Sequence, residues 1–305
     1  MQKDLLCLYD LTKEDFKNIF TKASDLKQKQ KKYEEYHPLK GKTLGMIFEK
    51  PSTRTRVSFE VGTFQLGGYA LYLRWTDTQL GRGESIYDTA KTLSRYLDGI
   101  MIRTFSQATV DELASSADVP VINGLTDLYH PCQILGDIFT VQEKRGTYDR
   151  LKAVYIGDGN NIANSWINAA LRLNFDLTLA CPKKNMPNSF VMERAQKEAS
   201  SKIVLVHDPY EAVKNADVIS TDTWVSMGQE KQYHERIKAF KGFQVNEKLV
   251  ASSKQDVMVM HCLPAHRGEE ITDNVMDGKN SVVFDQAENR LHVQKAVLEI
   301  LMGNR

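Results

Sequence analysis

This sequence predicts an α/β protein of two doubly wound domains with parallel sheets, joined by interdomain helices, and three observations carry that expectation. Short apolar runs alternate with amphipathic segments almost from end to end, the pattern of strands linked by helices that cover a parallel sheet. The 305 residues exceed what one hydrophobic core usually serves. Between the two sets of strands, Leu135, Ile138, Phe139 and Val141 recur at helical spacing after Pro131, where a bridging helix is needed.

In the first domain the apolar runs predict strands at Thr43 to Phe48, Tyr69 to Leu73, Gly99 to Arg103 and Pro120 to Ile122, with helices beginning near Ser52, Glu84 and Val110. A helix from about Cys132 to Lys144 then bridges the domains. In the second, strands are expected at Lys152 to Ile156, Leu177 to Ala180, Ile203 to Val206, Val218 to Thr221, Val257 to His261 and Ser281 to Phe284. Helices such as Asn164 to Leu173 and Phe190 to Glu198 alternate with them. Val225 to Gln244 is polar and mixed in charge, so it reads as a long loop carrying a short helix, and long loops in compact domains are often lids. The amphipathic segment Glu288 to Leu301 would pack back onto the first domain. The expected domains are therefore residues 1–133 with a C-terminal helix at about 288–305, and residues 134–287.

Composition narrows the function. Lys and Arg number 40 against 39 Asp and Glu, which leaves no net field to hold a polyanion or a charged membrane, so any anion site must be local. Cys7, Cys132, Cys181 and Cys262 are scattered without a Cys-x-x-Cys pair, which fits reduced thiols in a cytoplasm better than a disulfide framework or a zinc cluster. No run of about 18 uncharged apolar residues suggests a membrane span, and no export signal is visible.

The densest local signal is Phe48-Glu49-Lys50-Pro51-Ser52-Thr53-Arg54-Thr55-Arg56, where a strand gives way to a helix. Helix N-termini offer unpaired N–H groups and the positive end of the dipole to phosphate. Ser52 suits the cap, and Arg54 can make the forked contact of guanidinium with phosphate. The same run also fits a capped helix with solvated arginines. Gly157-Asp158-Gly159-Asn160-Asn161-Ile162 invites comparison with a dinucleotide fingerprint, but Ile162 stands in place of the third glycine and no acidic residue closes a second strand. Three further clusters follow strands: Tyr129-His130-Pro131-Cys132-Gln133, Asp222-Thr223-Trp224-Val225-Ser226-Met227-Gly228, and His261-Cys262-Leu263-Pro264. Ligands of open α/β sheets collect beyond the carboxyl ends of strands, where all of these would lie. His261, Cys262 and His266 lack a familiar zinc spacing, so neither a metal nor a cofactor is expected.

Taken together, Ser52-Thr53-Arg54-Thr55-Arg56, His130-Pro131-Cys132-Gln133, Ser226-Met227-Gly228 and His261-Cys262-Leu263-Pro264 resemble the signature set of the ornithine carbamoyltransferases, within the aspartate/ornithine carbamoyltransferase family. The resemblance spans essentially the whole chain. It implies one domain for carbamoyl phosphate and one for the amino acid, in a homotrimer with active sites at subunit interfaces. It also implies that Ser52, Thr53, Arg54 and Thr55 hold phosphate, with Arg103 and His130 at the carbonyl oxygen and Gln133 at the carbamoyl amide. Gln79 would complete the phosphate site of a neighbouring subunit, and Arg290 would contact the carbamoyl phosphate end. Asn161, Asp222, Ser226 and Met227 would grip the α-amino and carboxylate groups of ornithine. Cys262 and Leu263 would lie beside the reacting amine, with a cis Leu263-Pro264 bond, and Arg103, His130 and Cys262 would be the catalytic set. The implied reaction forms citrulline, as in arginine biosynthesis, and involves no nucleic acid and no membrane. Carbamoylation of another amine, putrescine or aspartate, is the nearest alternative, and a nicotinamide-dependent oxidoreductase resting on Gly157-Asp158-Gly159 the more distant one.

Overall fold

A computed structural model of the chain describes residues 1–225 and 230–303. It divides into two compact units, Met1–Phe139 with Glu288–Arg305, and Thr140–Ala287. In chain order the elements are α1 (Lys13–Lys31), β1 (Thr43–Phe48), α2 (Thr53–Gln65), β2 (Tyr69–Arg74), α3 (Ile86–Leu93), β3 (Gly99–Arg103), α4 (Gln107–Ser116), β4 (Val121–Leu125) and α5 (Pro131–Arg145). There follow β5 (Lys152–Ile156), α6 (Asn161–Arg172), β6 (Asp176–Ala180), α7 (Ser189–Glu198), β7 (Ile203–Val206), α8 (Pro209–Ala212), β8 (Val218–Thr221), α9 (Tyr233–Ala239), α10 (Glu247–Ala251), β9 (Met258–His261), α11 (Asp273–Met276) and α12 (Val283–Met302). Helices α5 and α12 each run across the division between the units.

In the first unit four parallel strands lie in the order β2-β1-β3-β4. The chain leaves β1 to one side for β2 and then crosses to the other for β3, so the order reverses between β1 and β3. Crevices at such reversals, beyond the carboxyl ends of the strands, are where open α/β sheets take ligands. Phe48 and Arg103, the last residues of β1 and β3, are in register, and Glu49 N donates to Arg103 O at 2.9 Å, so the two chain ends emerge side by side. The strands read as near-continuous apolar runs because both faces are covered, and Ile47, Ile100, Ile102 and Val121 are all fully buried.

The second unit repeats the plan with five parallel strands, β7-β6-β5-β8-β9, and its order reverses between β5 and β8. Val154, Ile156, Ile219 and Val259 fill its core with Phe240 and Trp224 stacked beside them.

Eight of the ten expected strands coincide with these to within a residue or so. The one at Pro120 to Ile122 runs on to Leu125. The one expected at Ser281 to Phe284 does not form: Ser281 makes a single parallel bridge to Val259, Val282 N donates to Val259 O at 3.0 Å, and α12 begins at Val283. The short apolar run serves as one bridge and then as a first helical turn, which Gln286 N closes on Val282 O at 2.9 Å. Helix α1 was absent from the sequence expectation although its signals are present. Thr12 and Asp15 form a reciprocal capping box, and Phe16, Ile19, Phe20, Ala23 and Leu26 make one buried face. Among the described residues, no helix is long and apolar enough to cross a membrane.

Candidate functional site

Each unit gathers polar side chains at its own strand-order reversal. In the first, β1 ends at Phe48 and the chain turns into α2 through Ser52, whose hydroxyl caps the helix by accepting from Thr55 N at 3.2 Å. Thr53 and Arg54 open the helix, Thr53 exposed and Arg54 half-buried. Two cations of the same motif are turned elsewhere. Lys50 donates to Asp127 at 2.5 Å over the Phe105 ring, and Arg56 pairs with Glu60 at 3.1 Å and lies 3.9 Å over the Tyr72 ring.

Thr55 is fully buried and stands at the centre of the cluster. Its hydroxyl oxygen accepts from Arg290 Nη2 at 3.1 Å and, at a long 3.5 Å, from Arg103 Nη1. A hydroxyl has two acceptor sites and one proton, so with both lone pairs engaged its own O–H is left to donate to something else. Arg290 comes from α12 and also donates from Nη1 to Gln133 Oε1 at 2.9 Å, while Gln133 Nε2 donates to Asp137 Oδ1 at 2.8 Å. The absent side chain of Gly136 makes room for this: a Cβ there would stand 3.2 Å from Arg290 Cγ. His130, immediately before α5, completes the group and is 4 % exposed.

Guanidiniums crowd this cluster. Burial, then the neighbouring Arg290 and Arg54, push Arg103 down to about 9. Burial and the same three guanidiniums hold His130 well below the usual histidine range, so it is a neutral imidazole. Like charges gathered out of water are costly to hold, and a bound anion would relieve that cost. Gln79 is exposed on a short 3-10 turn after β2, and no hydrogen bond joins it to the cluster among the described residues.

In the second unit Asn160 caps α6, its Oδ1 accepting from Ile162 N at 2.9 Å and Ala163 N at 3.4 Å. Asn160 Nδ2 donates to Asp222 Oδ2 at 2.7 Å, at the end of β8, and Cys262 Sγ donates to Asp222 Oδ1 at 2.7 Å, just past β9. Asn161, the first residue of α6, is half-buried beside them in sequence. Asp222 is thus a buried carboxylate held by an amide and a thiol. Past Cys262, Leu263 adopts φ 58° and the Leu263-Pro264 bond is cis. Leu263 N donates to His261 Nδ1 at 2.8 Å, which fixes the His261 proton on Nε2, where it is given to Glu270 at 3.0 Å. Ser226 and Met227 lie outside the described residues.

Of the residues that support these, Asp158 lies in the run singled out in the sequence, whereas Arg236 carried no signal there. Asp158 pairs with Arg236 of α9, and Arg236 Nε donates to Trp224 O at 2.5 Å. Burial pushes the Asp158 carboxyl up against the opposing pull of that guanidinium. Gly159 is explained by packing, since a Cβ there would stand 2.1 Å from the carbonyl carbon of Met186. The glycine therefore admits a neighbouring backbone and gives no support to a dinucleotide site. Donor atoms of His266, Glu269 and Glu270 lie within 4.8 Å of one another, a grouping that differs from the His261, Cys262 and His266 set considered in the sequence.

Comparison with known proteins gives one family. Residues 3–143 match the aspartate/ornithine carbamoyltransferase, carbamoyl-P binding domain, and residues 149–301 match the Asp/Orn binding domain of the same family. An ornithine carbamoyltransferase of Syntrophus aciditrophicus is 62% identical over 302 residues, covering 99% of this chain and 100% of the relative. Among solved structures, the ornithine carbamoyltransferase from Pyrococcus furiosus superposes with a TM-score of 0.96 at 54% identity, covering 99% of this chain and 97% of the other. The anabolic ornithine carbamoyltransferase from Campylobacter jejuni gives 0.93 at 42% identity, with 100% of both chains covered.

Proposed function

The chain belongs to the aspartate/ornithine carbamoyltransferase family, and from that premise we propose that it moves the carbamoyl group of carbamoyl phosphate onto the side-chain amine of L-ornithine, giving L-citrulline and phosphate. One observation carries the reading: Arg54, Arg103 and Arg290 converge on the capped N-terminus of α2, and two of them share the buried Thr55 hydroxyl. That arrangement suits a dianionic phosphate with a carbonyl beside it.

In this reading Ser52, Thr53, Arg54 and Thr55 hold the phosphate, and Gln133 accepts from the carbamoyl amide. Arg103, neutral His130 and the Thr55 hydroxyl donate to the carbonyl oxygen as negative charge builds on it. Departure of phosphate is assisted by Arg54 and the helix N-terminus. The nucleophile is an amine with a pKa near that of lysine, about 10.4, so freeing its lone pair near pH 7.5 costs roughly 4 kcal/mol. Asp222 and Asn161 take the α-amino end of ornithine, with Ser226 and Met227 at its carboxylate, while Cys262 and Leu263 lie along the reacting amine and assist no covalent intermediate. Arg290 steadies the carbamoyl phosphate end through Thr55 and Gln133.

The assembly is a homotrimer in which Gln79 serves the neighbouring subunit. Val57, Val61 and Phe64 support this, since they leave an exposed apolar row on α2, and Gln79 is itself exposed. A single species of monomer mass by sedimentation would refute it. The setting is cytoplasmic, in keeping with four free cysteines, and the direction is synthesis toward arginine, in keeping with the anabolic relative from Campylobacter jejuni. The decisive experiment offers carbamoyl phosphate with ornithine, putrescine or aspartate and measures the carbamoylated product. Citrulline should dominate, and a preference for putrescine would overturn the choice of acceptor.

A further inference from the structure

We propose that Asp137 is a positioning residue for the carbamoyl group, fixing which end of the Gln133 carboxamide faces the substrate; this rests on the carbamoyl phosphate reading above. The two ends of a carboxamide are nearly the same shape, so only its hydrogen-bond partners decide how it lies. Gln133 is 1 % exposed and is held from both ends by groups that can each act in only one way. Arg290 can only donate, and its Nη1 stands 2.9 Å from Gln133 Oε1. An ionised Asp137 can only accept, and its Oδ1 stands 2.8 Å from Gln133 Nε2.

Asp137 and Gln133 are four residues apart on α5 and so share one helical face. Asp137 is itself fully buried, where a carboxylate is costly to keep without something to hold. The consequence concerns the remaining hydrogen-bond positions. With Nε2 tied to Asp137, the carbonyl end of Gln133 lies beside Arg290, which itself bonds Thr55, and the second lone pair of Oε1 is available to a carbamoyl N–H. Turned over, the same amide would oppose its own N–H groups to the carbamoyl amide, donor against donor. Asp137 therefore acts without touching the substrate. A purely structural carboxylate, there to offset the charge of Arg290, would act regardless of what occupies position 133.

A double-mutant cycle separates these roles. Asp137→Asn should raise the KM for carbamoyl phosphate roughly tenfold, as loss of a charge-assisted bond implies, while the KM for ornithine stays within about twofold. Introduced into Gln133→Ala, the same change should alter the carbamoyl phosphate KM by less than about twofold. An equal loss in both backgrounds, or an unchanged KM in the single variant, would overturn the proposal. The swapped pair Gln133→Glu with Asp137→Asn keeps charge and size and covers the case in which the single variant fails to fold. Its Asn donates to a Glu that has no wrong way round, so the carbamoyl phosphate KM should return to within about threefold of the parent; no recovery counts against the idea. A parent protein that carbamoylates no amine from carbamoyl phosphate refutes the carbamoyl phosphate reading instead, whatever the variants do.

Discussion

Replacing Thr55 by Val tests the centre of the cluster with the least disturbance of shape. The side chain is fully buried and valine is close to it in size, so no cavity opens, but the hydroxyl that accepts from two guanidiniums is lost. That hydroxyl accepts from Arg290 at 3.1 Å and from Arg103 at 3.5 Å, and its proton is the one left for a ligand. A hydrogen bond to a charged partner is worth about 1.5–3 kcal/mol, and the 3.5 Å contact falls toward the weak end of the geometry. Loss of the donor to carbamoyl phosphate alone should therefore lower kcat/KM for that substrate by about 10- to 150-fold. The two guanidiniums, released from Thr55, can turn toward the ligand, which places the expected loss near the lower end of that range. Initial rates of citrulline formation, with carbamoyl phosphate varied at saturating ornithine, measure it. Thr55→Ser keeps the hydroxyl and should recover to within about threefold. A Val variant with parental kcat/KM, or a Ser variant as impaired as Val, would refute the assignment.

The Arg103 guanidinium predicts opposite trends for binding and stability. Because it is held down to about 9, well below the ordinary guanidinium range, carbamoyl phosphate should bind progressively more weakly above pH 9 as the charge is lost, to be followed by calorimetry at fixed ionic strength. Over the same window the unfolded chain holds the proton more tightly, so the cost of burying this charge is full below about pH 9 and is relieved as pH rises above it; Arg103→Met should remove that dependence from the melting profile. Asn160→Ala removes both a helix cap and a donor to Asp222, so it should cost about 1 kcal/mol of stability and raise the KM for ornithine while sparing that for carbamoyl phosphate. Equal effects on the two KM values would count against Asp222 as an ornithine contact.

The fold was legible because a parallel sheet covered on both faces leaves apolar runs that stand out against amphipathic helices, and β1, β3, β5 and β8 are such runs. It failed at Ser281 to Phe284, where four residues are too few for periodicity to separate a strand from a helix start, and at α1, where charged residues between Phe16, Ile19, Phe20 and Ala23 masked a regular face. The site divides in the same way. Ser52, Thr53, Arg54 and Thr55 are contiguous and announce a helix N-terminus, whereas Arg103 and Arg290 are lone arginines on distant elements that took a family resemblance to find.

What sequence could not supply is the set of residues that orient the others. Asp137, Arg236 and Glu270 belong to no motif of their own, and each acts by holding a side chain or carbonyl of another residue. Such residues are specified by complementarity: an acceptor is needed at Gln133 Nε2 because a donor already occupies Oε1, and a carboxylate is needed at His261 Nε2 because Nδ1 is taken by Leu263 N. That requirement exists only once folding has brought the partners together. A motif can name the groups that meet a substrate, but which way a buried amide or imidazole points is decided by neighbours that only the folded chain brings within reach.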